Sequence, residues 1–301
     1  YQNGFDCQGL WIEVGVEREL GLDSKRDIED YGLAEFAARC REVVVRSADQ
    51  LTQGSIRLGQ WMDWDRSYFT FADANIAYIW RFLQAVHEKG WLYRGNRPTE
   101  WCPRCGTSIS AHELVGSYVD RTDPSLRVRL PLLDRPGEAL VIWTTTPWTL
   151  PANVAVAVDP DATYGLRDGS WQVVAGDAEA YDTVRPGRDL VGWRYQGPFD
   201  ELVPGAAVDH RVVQWDEVDV AEGTGLVHIA PGCGREDFAL GQAHGLAVLH
   251  PVDEAGVFTP AYGWLAGRRA GESAEAIIAD LDARGLLVEA GTIEHRYPEC
   301  W

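Results

Sequence analysis

The sequence predicts a mixed α/β fold, in which a helical N-terminal third is followed by a β-rich domain and a short tail. Two observations support this prediction. Apolar residues recur at helical spacing in the first third, and from about Ser125 short β-rich runs alternate with turn signals. The length of 301 residues suits about two domains and is ample for a packed core.

Two long helices are predicted in the first third. The apolar positions of the first are Leu33, Phe36, Ala37, Cys40, Val43, Val44 and Leu51. Those of the second are Ile76, Ile79, Leu83 and Val86, with Asp73 as the expected N-cap and Gly90 as the expected stop. A short helix is expected after Gly234 and a longer one over residues 273–284, before Gly285.

Strands are predicted in the remaining two thirds of the chain. The β-rich runs cover residues 126–132, 139–146, 154–158, 171–175, 210–215 and 225–229. Turn signals at 134–137 and 167–169 separate neighbouring runs. The sequence shows no internal repeat and no low-complexity segment.

Composition places the chain among ordinary globular proteins, with 46% hydrophobic and 24% charged residues. The formal net charge of −19 argues against broad nonspecific adhesion to nucleic acid or to an anionic membrane. It leaves open an RNA ligand held by a local basic stripe. No run approaches the roughly 20 apolar residues of a membrane span, and the first residues do not resemble a signal peptide, so no membrane partner is expected.

The six cysteines indicate a metal site rather than a disulfide scaffold. Cys102 and Cys105 form a Cys-Pro-Arg-Cys knuckle, which is typical of zinc binding in a reducing compartment, so the cytoplasm is the expected location. A tetrahedral zinc site needs about four ligands. Cys300 could contribute only if the chain returns to the knuckle, as around an inserted domain; the alternative is a lone surface thiol. His112 and His295 are candidates for the fourth ligand.

Two further segments carry chemically useful side chains. In GTGLVHIAPGCGREDF, residues 223–238, a predicted strand with His228 runs into a glycine-rich loop and a helix that carries Asp237. The spacing fits neither common phosphate-binding motif. A hydrogen-bonded strand-end histidine and a carboxylate favoured by the helix dipole are the ordinary alternatives. In VIWTTTPWTLPAN, residues 141–153, three threonines end a strand, and the ordinary alternative is a threonine-rich sheet edge.

These two segments resemble the isoleucyl-tRNA synthetase family, in the editing domain inserted into its class I catalytic domain. FDCQGLWIEVGVEREL, IRLGQWMDWDRSYFTF, IWRFL, GWLYRG and WCPRCGTSISAHE resemble the family's flanking segments, and HRYPECW resembles the return through a second zinc knuckle. The resemblance covers essentially all of the chain. The valyl and leucyl relatives carry Arg-Pro where this sequence has Thr-Pro-Trp at 146–148.

The resemblance implies a domain order. Residues 1–94 would form part of a Rossmann-like catalytic domain and 95–113 a first zinc-knuckle segment. The inserted editing domain would span 114–292, and 293–301 would return to the knuckle at its base.

The resemblance also implies roles for individual residues. Editing catalysis would involve Thr144, Thr145, Thr146, His228 and Asp237; substrate binding would involve Trp143, Asn153, Gly232, Asp6 and Gln8; and zinc would be held by Cys102, Cys105 and Cys300. Asp237 would hold the α-amino group of the mischarged amino acid, and His228 would help to exclude the larger isoleucyl side chain. Asp6 and Gln8 match a segment near the synthetic amino-acid pocket, although many members have His at position 8 and Pro at the position of Trp11.

The implied activity is hydrolysis of valine esterified to the isoleucine tRNA. Isoleucine and valine differ by one methylene group, and they are the standard example of two substrates that one hydrophobic pocket cannot distinguish well enough. A second, smaller site therefore hydrolyses the valyl ester, which fits it, and excludes the isoleucyl ester. No Ser/His/Asp triad is apparent, so direct attack by a positioned water is expected. The alternatives are a zinc-stabilised tRNA-docking module without hydrolysis and a free-standing deacylase.

Neither a His-x-Gly-His signature nor a Lys-Met-Ser-Lys type loop occurs in the sequence. We therefore expect a fragment of a larger synthetase, unable to activate isoleucine by itself. ATP, magnesium and isoleucine would belong to the complete enzyme, zinc and tRNA(Ile) to this portion, and a monomer is expected.

Overall fold

The computed structural model describes residues 1–110, 114–202 and 208–299, and the chain divides into two compact units. The N-terminal unit comprises residues 1–96 and 104–106, and the β-rich unit comprises 97–103 and 107–301. The domain boundaries expected at residues 95, 114 and 293 stay predictions.

The N-terminal unit is mostly helical around a small parallel strand pair. Its strands are β1 (Gln2–Phe5) and β2 (Asp63–Phe69), and its helices are α1 (Leu10–Leu20), α2 (Lys25–Tyr31), α3 (Leu33–Arg57) and α4 (Asp73–Glu88). Helix α2 begins at a capping box, in which Ser24 and Asp27 each accept a hydrogen bond from the other's backbone. Val16, Ile28 and Phe36 form the apolar core.

The two long helices predicted from apolar spacing are confirmed as α3 and α4. The expected N-cap was displaced by one residue, since Ala72 holds the extended cap conformation and Asp73 is the first helical residue. Helix α4 has no buried residue: in its apolar stripe Ile76 and Ile79 are exposed, and Leu83 and Val86 are partly exposed. Within the part of the chain that the structure describes, no helix is both long and apolar enough to cross a bilayer.

The β-rich unit contains a nine-stranded sheet. Its strands are β5 (Tyr118–Pro131), β6 (Ala139–Thr144), β7 (Ala155–Val158), β8 (Thr163–Arg167), β9 (Ser170–Val173), β10 (Thr183–Pro186), β11 (Arg211–Gln214), β12 (Val227–Ile229) and β13 (Leu287–Pro298), after a short hairpin of β3 (Trp101–Cys102) and β4 (Thr107–Ser108). The order β10-β8-β9-β6-β12-β7-β11 runs across the sheet, with β5 along the other edge of β6 and β13 beside β5.

Strand β6 lies at the centre of this sheet because it has three partners. Its first residues pair with β9, and Trp143 pairs with Val227 of β12, both in parallel. Its opposite edge pairs antiparallel with residues 126–131 of β5. Every residue of β6 except Trp143 is buried, as expected for a strand covered on both faces.

Strand β7 lies between two apolar clusters, one on each face of the strand. Val156 and Val158 belong to the larger cluster, whereas Ala155 and Ala157 belong to the smaller one. This alternation follows from the two-residue period of a strand. Helix α6 (Ala274–Ala283) packs on the larger cluster through Ile277 and Leu281, and α5 (Arg235–His244) packs on the smaller one through Leu240.

The six predicted β-rich runs all contain strands, and the helices expected after Gly234 and over 273–284 are confirmed as α5 and α6. Strands β1 to β4, β8, β10 and β13, the first half of β5, and helices α1 and α2 were not predicted. The β5–β13 ribbon is exposed from Tyr118 to Arg121. Each face of β5 there carries one apolar or aromatic and one charged side chain, so the sequence shows no alternation that would predict a strand.

Candidate active site

The threonine segment forms a tight turn at the carboxyl end of β6. Strand β6 ends at Thr144, and a 3-10 turn follows over Pro147–Ala152. The buried Thr144 hydroxyl oxygen accepts a hydrogen bond from the Thr146 amide at 3.1 Å. Thr145 is partly exposed and Thr146 is exposed, so hydroxyl groups line this turn at increasing exposure.

Thr149 ties this turn together, although it was not singled out from the sequence. Its hydroxyl donates to the Thr146 carbonyl at 2.8 Å and lies 3.0 Å from Nε2 of His228. The Thr146 and Thr149 hydroxyl oxygens are 3.4 Å apart. The 3-10 turn therefore brings a fourth hydroxyl beside the three expected ones, in contact with a histidine from β12.

Asn153 holds the other nitrogen of the His228 ring. Its amide nitrogen lies 2.8 Å from His228 Nδ1 and donates to the Ala155 carbonyl at 3.0 Å, while its Oδ1 accepts from the Tyr195 hydroxyl at 2.7 Å. The Ala155 carbonyl can only accept, so the NH2 group of Asn153 must face it. That orientation also presents an N–H to Nδ1.

The tautomer of His228 follows from these contacts. Because Asn153 donates to Nδ1, this nitrogen carries the lone pair and the ring proton sits on Nε2. Nε2 then donates to Thr149, whose own proton is directed at the Thr146 carbonyl. Burial lowers the pKa of His228 to about 4, so the ring is neutral at pH 7. Both ring nitrogens are engaged by the protein.

Asp237 lies in the first turn of α5, where its carboxylate faces the end of β12. Its Oδ2 accepts a hydrogen bond from the Ala230 amide at 2.7 Å. Burial raises the pKa of Asp237 to about 6, and the neighbouring Glu236 charge acts in the same direction. The Ala230 hydrogen bond and the helix N-terminus favour the ionised form. A mostly ionised, poorly solvated carboxylate therefore stands near the strand that carries His228.

The loop between β12 and α5 is closely packed. A Cβ atom on Gly232 would lie 1.8 Å from the Leu249 carbonyl oxygen, so only glycine fits there. The adjacent Cys233 thiol is partly buried, and burial raises its pKa to about 12. Cys233 is therefore protonated at neutral pH and is not a thiolate nucleophile.

Trp143 points away from the threonine turn. Successive strand side chains face opposite sides, and Thr144 faces the turn. The Trp143 ring lies against Gly223, and its indole N–H donates to the Ser125 hydroxyl at 2.7 Å. Its expected contact with substrate stays a prediction, and the structure assigns the ring a packing role beside β12.

Asp6 and Gln8 belong to the N-terminal unit, whereas the threonine turn belongs to the β-rich unit. Asp6 accepts a hydrogen bond from the Gln8 amide at 3.4 Å, and Gln8 contacts the Thr70 hydroxyl. They form a local group with Thr70, and their part in the synthetic pocket remains a prediction.

The expected zinc ligands are described only in part. Cys102 and Cys105 are both buried, while Cys300 and His112 lie outside the described residues. His295 is 2.6 Å from Asp123 Oδ2 in the β5–β13 ribbon, so its Nε2 is already engaged. Across residues 1–110, 114–202 and 208–299, no group of three or more His, Cys, Asp or Glu side chains is arranged to hold a metal. Zinc stays a prediction.

Comparison with known proteins places this chain in a family. The profile of the family described as tRNA synthetases class I (I, L, M and V) matches residues 1–301. The chain belongs to this family. Among its curated relatives, the isoleucine–tRNA ligase of Methanothermobacter thermautotrophicus is 46% identical over 100% of the chain. The corresponding ligase of Thermobifida fusca is 42% identical over 99% of it.

The chain spans about 30% of the length of these curated relatives. Among solved structures, the one described as GlLeuRS-CP1 has a TM-score of 0.44 and 14% sequence identity. That match covers 58% of this chain and 98% of the other.

Proposed function

We propose that this chain is part of an isoleucine–tRNA ligase and that its β-rich unit hydrolyses valine wrongly esterified to the isoleucine tRNA. The observation that carries the proposal is the arrangement at the ends of β6 and β12. There, a hydroxyl-rich turn after β6 is hydrogen-bonded to the neutral His228 of β12, and an ionised Asp237 lies in the first turn of α5, the helix that follows β12. Sequence identity of 46% to an isoleucine–tRNA ligase supports the choice of amino acid.

Asp237 would hold the substrate. An aminoacyl ester has a free α-ammonium group, and a carboxylate within a few ångströms forms a charge-assisted hydrogen bond with it. The bond is strong because Asp237 is poorly solvated, which weakens competition from water. The same carboxylate accepts from the Ala230 amide, which fixes its direction.

The threonine turn would orient the scissile ester and the attacking water. Thr144, Thr145 and Thr146 supply short hydroxyl groups that can donate or accept. His228 does not serve as the general base, because its Nδ1 lone pair accepts from Asn153 and its Nε2 proton is donated to Thr149. Catalysis would therefore come from positioning and hydrogen bonding.

The first test is deacylation of Val-tRNA and Ile-tRNA, both prepared on the isoleucine tRNA, by the 301-residue chain. We expect release of valine but not isoleucine. Asp237→Ala should lower kcat/KM for the valyl ester by about a hundredfold, which corresponds to loss of one charged contact of about 2.7 kcal/mol. Glu236→Ala is the matched control, since Glu236 is exposed on the same helical turn.

Three results would contradict the proposal. No release from either ester, even at high protein concentration, would favour the tRNA-docking module. Equal release from both esters would show that the site does not distinguish valine from isoleucine. An equal loss of activity in Asp237→Ala and Glu236→Ala would remove Asp237 as the ammonium partner.

We also propose that Cys102, Cys105 and Cys300 hold zinc at the base of the β-rich unit. Two buried thiols in one Cys-Pro-Arg-Cys knuckle support this, because thiolates are preferred zinc ligands. Bound zinc would stabilise the local chain. Elemental analysis of the purified chain should find about one zinc per molecule, and Cys102→Ser should lose most of it. Zinc retained in that variant, or no zinc in the parent, would contradict the assignment.

ATP, magnesium and isoleucine belong to the proposed activity of the complete ligase. Location in the cytoplasm and a monomeric state stay predictions.

A further inference from the structure

Tyr195 is a buried residue that no sequence motif marked, and it contacts the hydrogen-bonded core of the candidate site. Its side chain is 1% exposed. Its ring lies 5.2 Å from the ring of His210, which is 2.7 Å from Asp200. Its backbone amide donates to the His210 carbonyl at 3.3 Å. Packing and backbone bonding therefore hold the Tyr195 ring in place.

The Tyr195 hydroxyl has one hydrogen-bond partner among the described residues, Oδ1 of Asn153 at 2.7 Å. A phenol can donate to this oxygen, and the Asn153 NH2 group then faces both Ala155 and His228. Burial raises the pKa of the Tyr195 phenol well above its ordinary value, which keeps it a donor. The Tyr195 hydroxyl donor and the Ala155 carbonyl acceptor together set the orientation of the Asn153 amide. That orientation determines the direction of the hydrogen bonds that continue through His228 and Thr149 to the Thr146 carbonyl.

We propose that Tyr195 is a positioning residue of the hydrolytic site, which orients Asn153 so that His228 keeps its proton on Nε2 and Thr149 donates to the Thr146 carbonyl. This inference rests on the proposed function. Tyr195 itself acts through three other residues and touches no reacting atom. The ring and backbone of Tyr195 contact His210, and its hydroxyl is connected to the threonine turn through Asn153, His228 and Thr149.

The role of Tyr195 follows from what would happen if the Asn153 side-chain amide were rotated by 180°. A rotated amide would present its oxygen to His228 Nδ1, which would then need the ring proton. Nε2 would become an acceptor, so the Thr149 hydroxyl would turn to it and leave the Thr146 carbonyl. In the parent protein two groups oppose that rotation, the Tyr195 donor and the Ala155 acceptor. Tyr195→Phe removes the first of them.

The test is the tautomer of His228, read from nitrogen-15 NMR of the histidine rings in the 301-residue chain. The two neutral tautomers exchange the chemical shifts of Nδ1 and Nε2, and a His228→Asn variant assigns the signals. We expect a single Nε2–H form in the parent at pH 7. In Tyr195→Phe the Nδ1 and Nε2 shifts of His228 should move towards each other, as a mixture of tautomers requires.

Tyr164→Phe is the matched control. Tyr164 is also fully buried, and its hydroxyl donates to the Gly225 carbonyl at 2.8 Å, away from Asn153. It loses the same group at similar burial, so a purely structural effect would appear in both variants. An unchanged His228 tautomer in Tyr195→Phe, or an equal change in Tyr164→Phe, would overturn the proposal.

Hydrolysis of the valyl ester gives the second readout. Tyr195→Phe should lower kcat by about tenfold with little change in KM, because the ammonium contact of Asp237 remains while the turn is less well ordered. An unchanged kcat would overturn the positioning role. If the parent releases no valine, the proposed function fails, and the NMR measurement still decides whether Tyr195 sets the His228 tautomer.

Discussion

Burial moves the pKa values of His228 and Asp237 in opposite directions. The imidazole is charged when protonated and the carboxyl when deprotonated, so poor solvation favours the neutral form of each. At pH 7 the His228 pKa of about 4 leaves the ring uncharged, and the Asp237 pKa of about 6 leaves the carboxyl mostly ionised. At the residue scale the site therefore combines a neutral hydrogen-bonding ring with a carboxylate that is costly to keep charged.

Asp237→Asn is expected to stabilise the protein at pH 7 to 8 while it removes valyl-ester hydrolysis. The folded pKa of about 6 exceeds the unfolded value near 4, so this group stabilises the fold below pH 4 relative to neutral pH. That stabilisation is lost as the pH rises through 6. The neutral amide avoids the loss, which amounts to about 3 kcal/mol at most.

The measurement is the free energy of unfolding from urea titrations at pH 4 and pH 8. The parent and Asp237→Asn should differ at pH 8 and converge at pH 4. A variant that is less stable than the parent at pH 8 would contradict the expectation.

Sequence patterns marked the chemically useful residues but not what each can do. His228, Asp237 and the three threonines stood out because they interrupt apolar or glycine-rich segments. Thr149 lies within the same TTTPWTLPAN segment and could have been included with them. Tyr195 had no local signal, because its bond to Asn153 joins segments that are separated in the chain.

At the element scale, the loop after β12 positions Asp237. The chain leaves the sheet at Ile229 and enters α5 at Arg235, and the Ala230 amide meets the Asp237 carboxylate within this short span. Gly232 allows the loop to pass the Leu249 carbonyl. The direction of the carboxylate therefore depends on a backbone path that only a residue without a Cβ atom permits.

Gly232→Ala should destabilise the β-rich unit by about 3 kcal/mol and lower valyl-ester hydrolysis, because a Cβ atom would overlap the Leu249 carbonyl and push the loop outward. Gly271→Ala is the control, since a Cβ atom there would meet nothing within 4 Å. Thermal unfolding of both variants checks the prediction. Equal unfolding temperatures would show that the loop can move without cost.

The end of β6 was predicted two residues too late. Thr145 and Thr146 favour a strand by their β-branched side chains. The observed strand stops at Thr144 because Thr144 accepts from the Thr146 amide and the chain turns into Pro147–Ala152. Local hydrogen bonding by threonine hydroxyls competes with strand pairing, and the pattern of apolar residues does not contain that information.

At the scale of the whole molecule, the two units differ in how much of their apolar surface is buried. Helix α4 has no buried residue, and Tyr78, Trp80 and Phe82 are 75%, 67% and 65% exposed. Strand β6 is almost completely buried. Burial of this kind determines how readily a segment opens locally.

Hydrogen exchange should separate these elements. Amides of α4 should exchange at least about tenfold faster than those of β6, because few packing contacts oppose local opening of the helix. Helix α3, which buries Phe36, Val44 and Ala48, should be intermediate. The measurement is exchange followed by mass spectrometry on the 301-residue chain. Equal protection of α4 and β6 would contradict this expectation.

The amino-acid sequence by itself determined the mixed α/β class, helices α3 to α6, six of the strand positions and the residues on which the proposed chemistry depends. Each of these follows from neighbours in the chain, through apolar spacing, turn residues or motif. Only the tertiary structure decided the tautomer of His228, the raised pKa of Asp237, the absence of buried residues in α4 and the link from Tyr195 to the threonine turn. These depend on burial and on hydrogen bonds between distant segments, which have no periodic trace in a sequence.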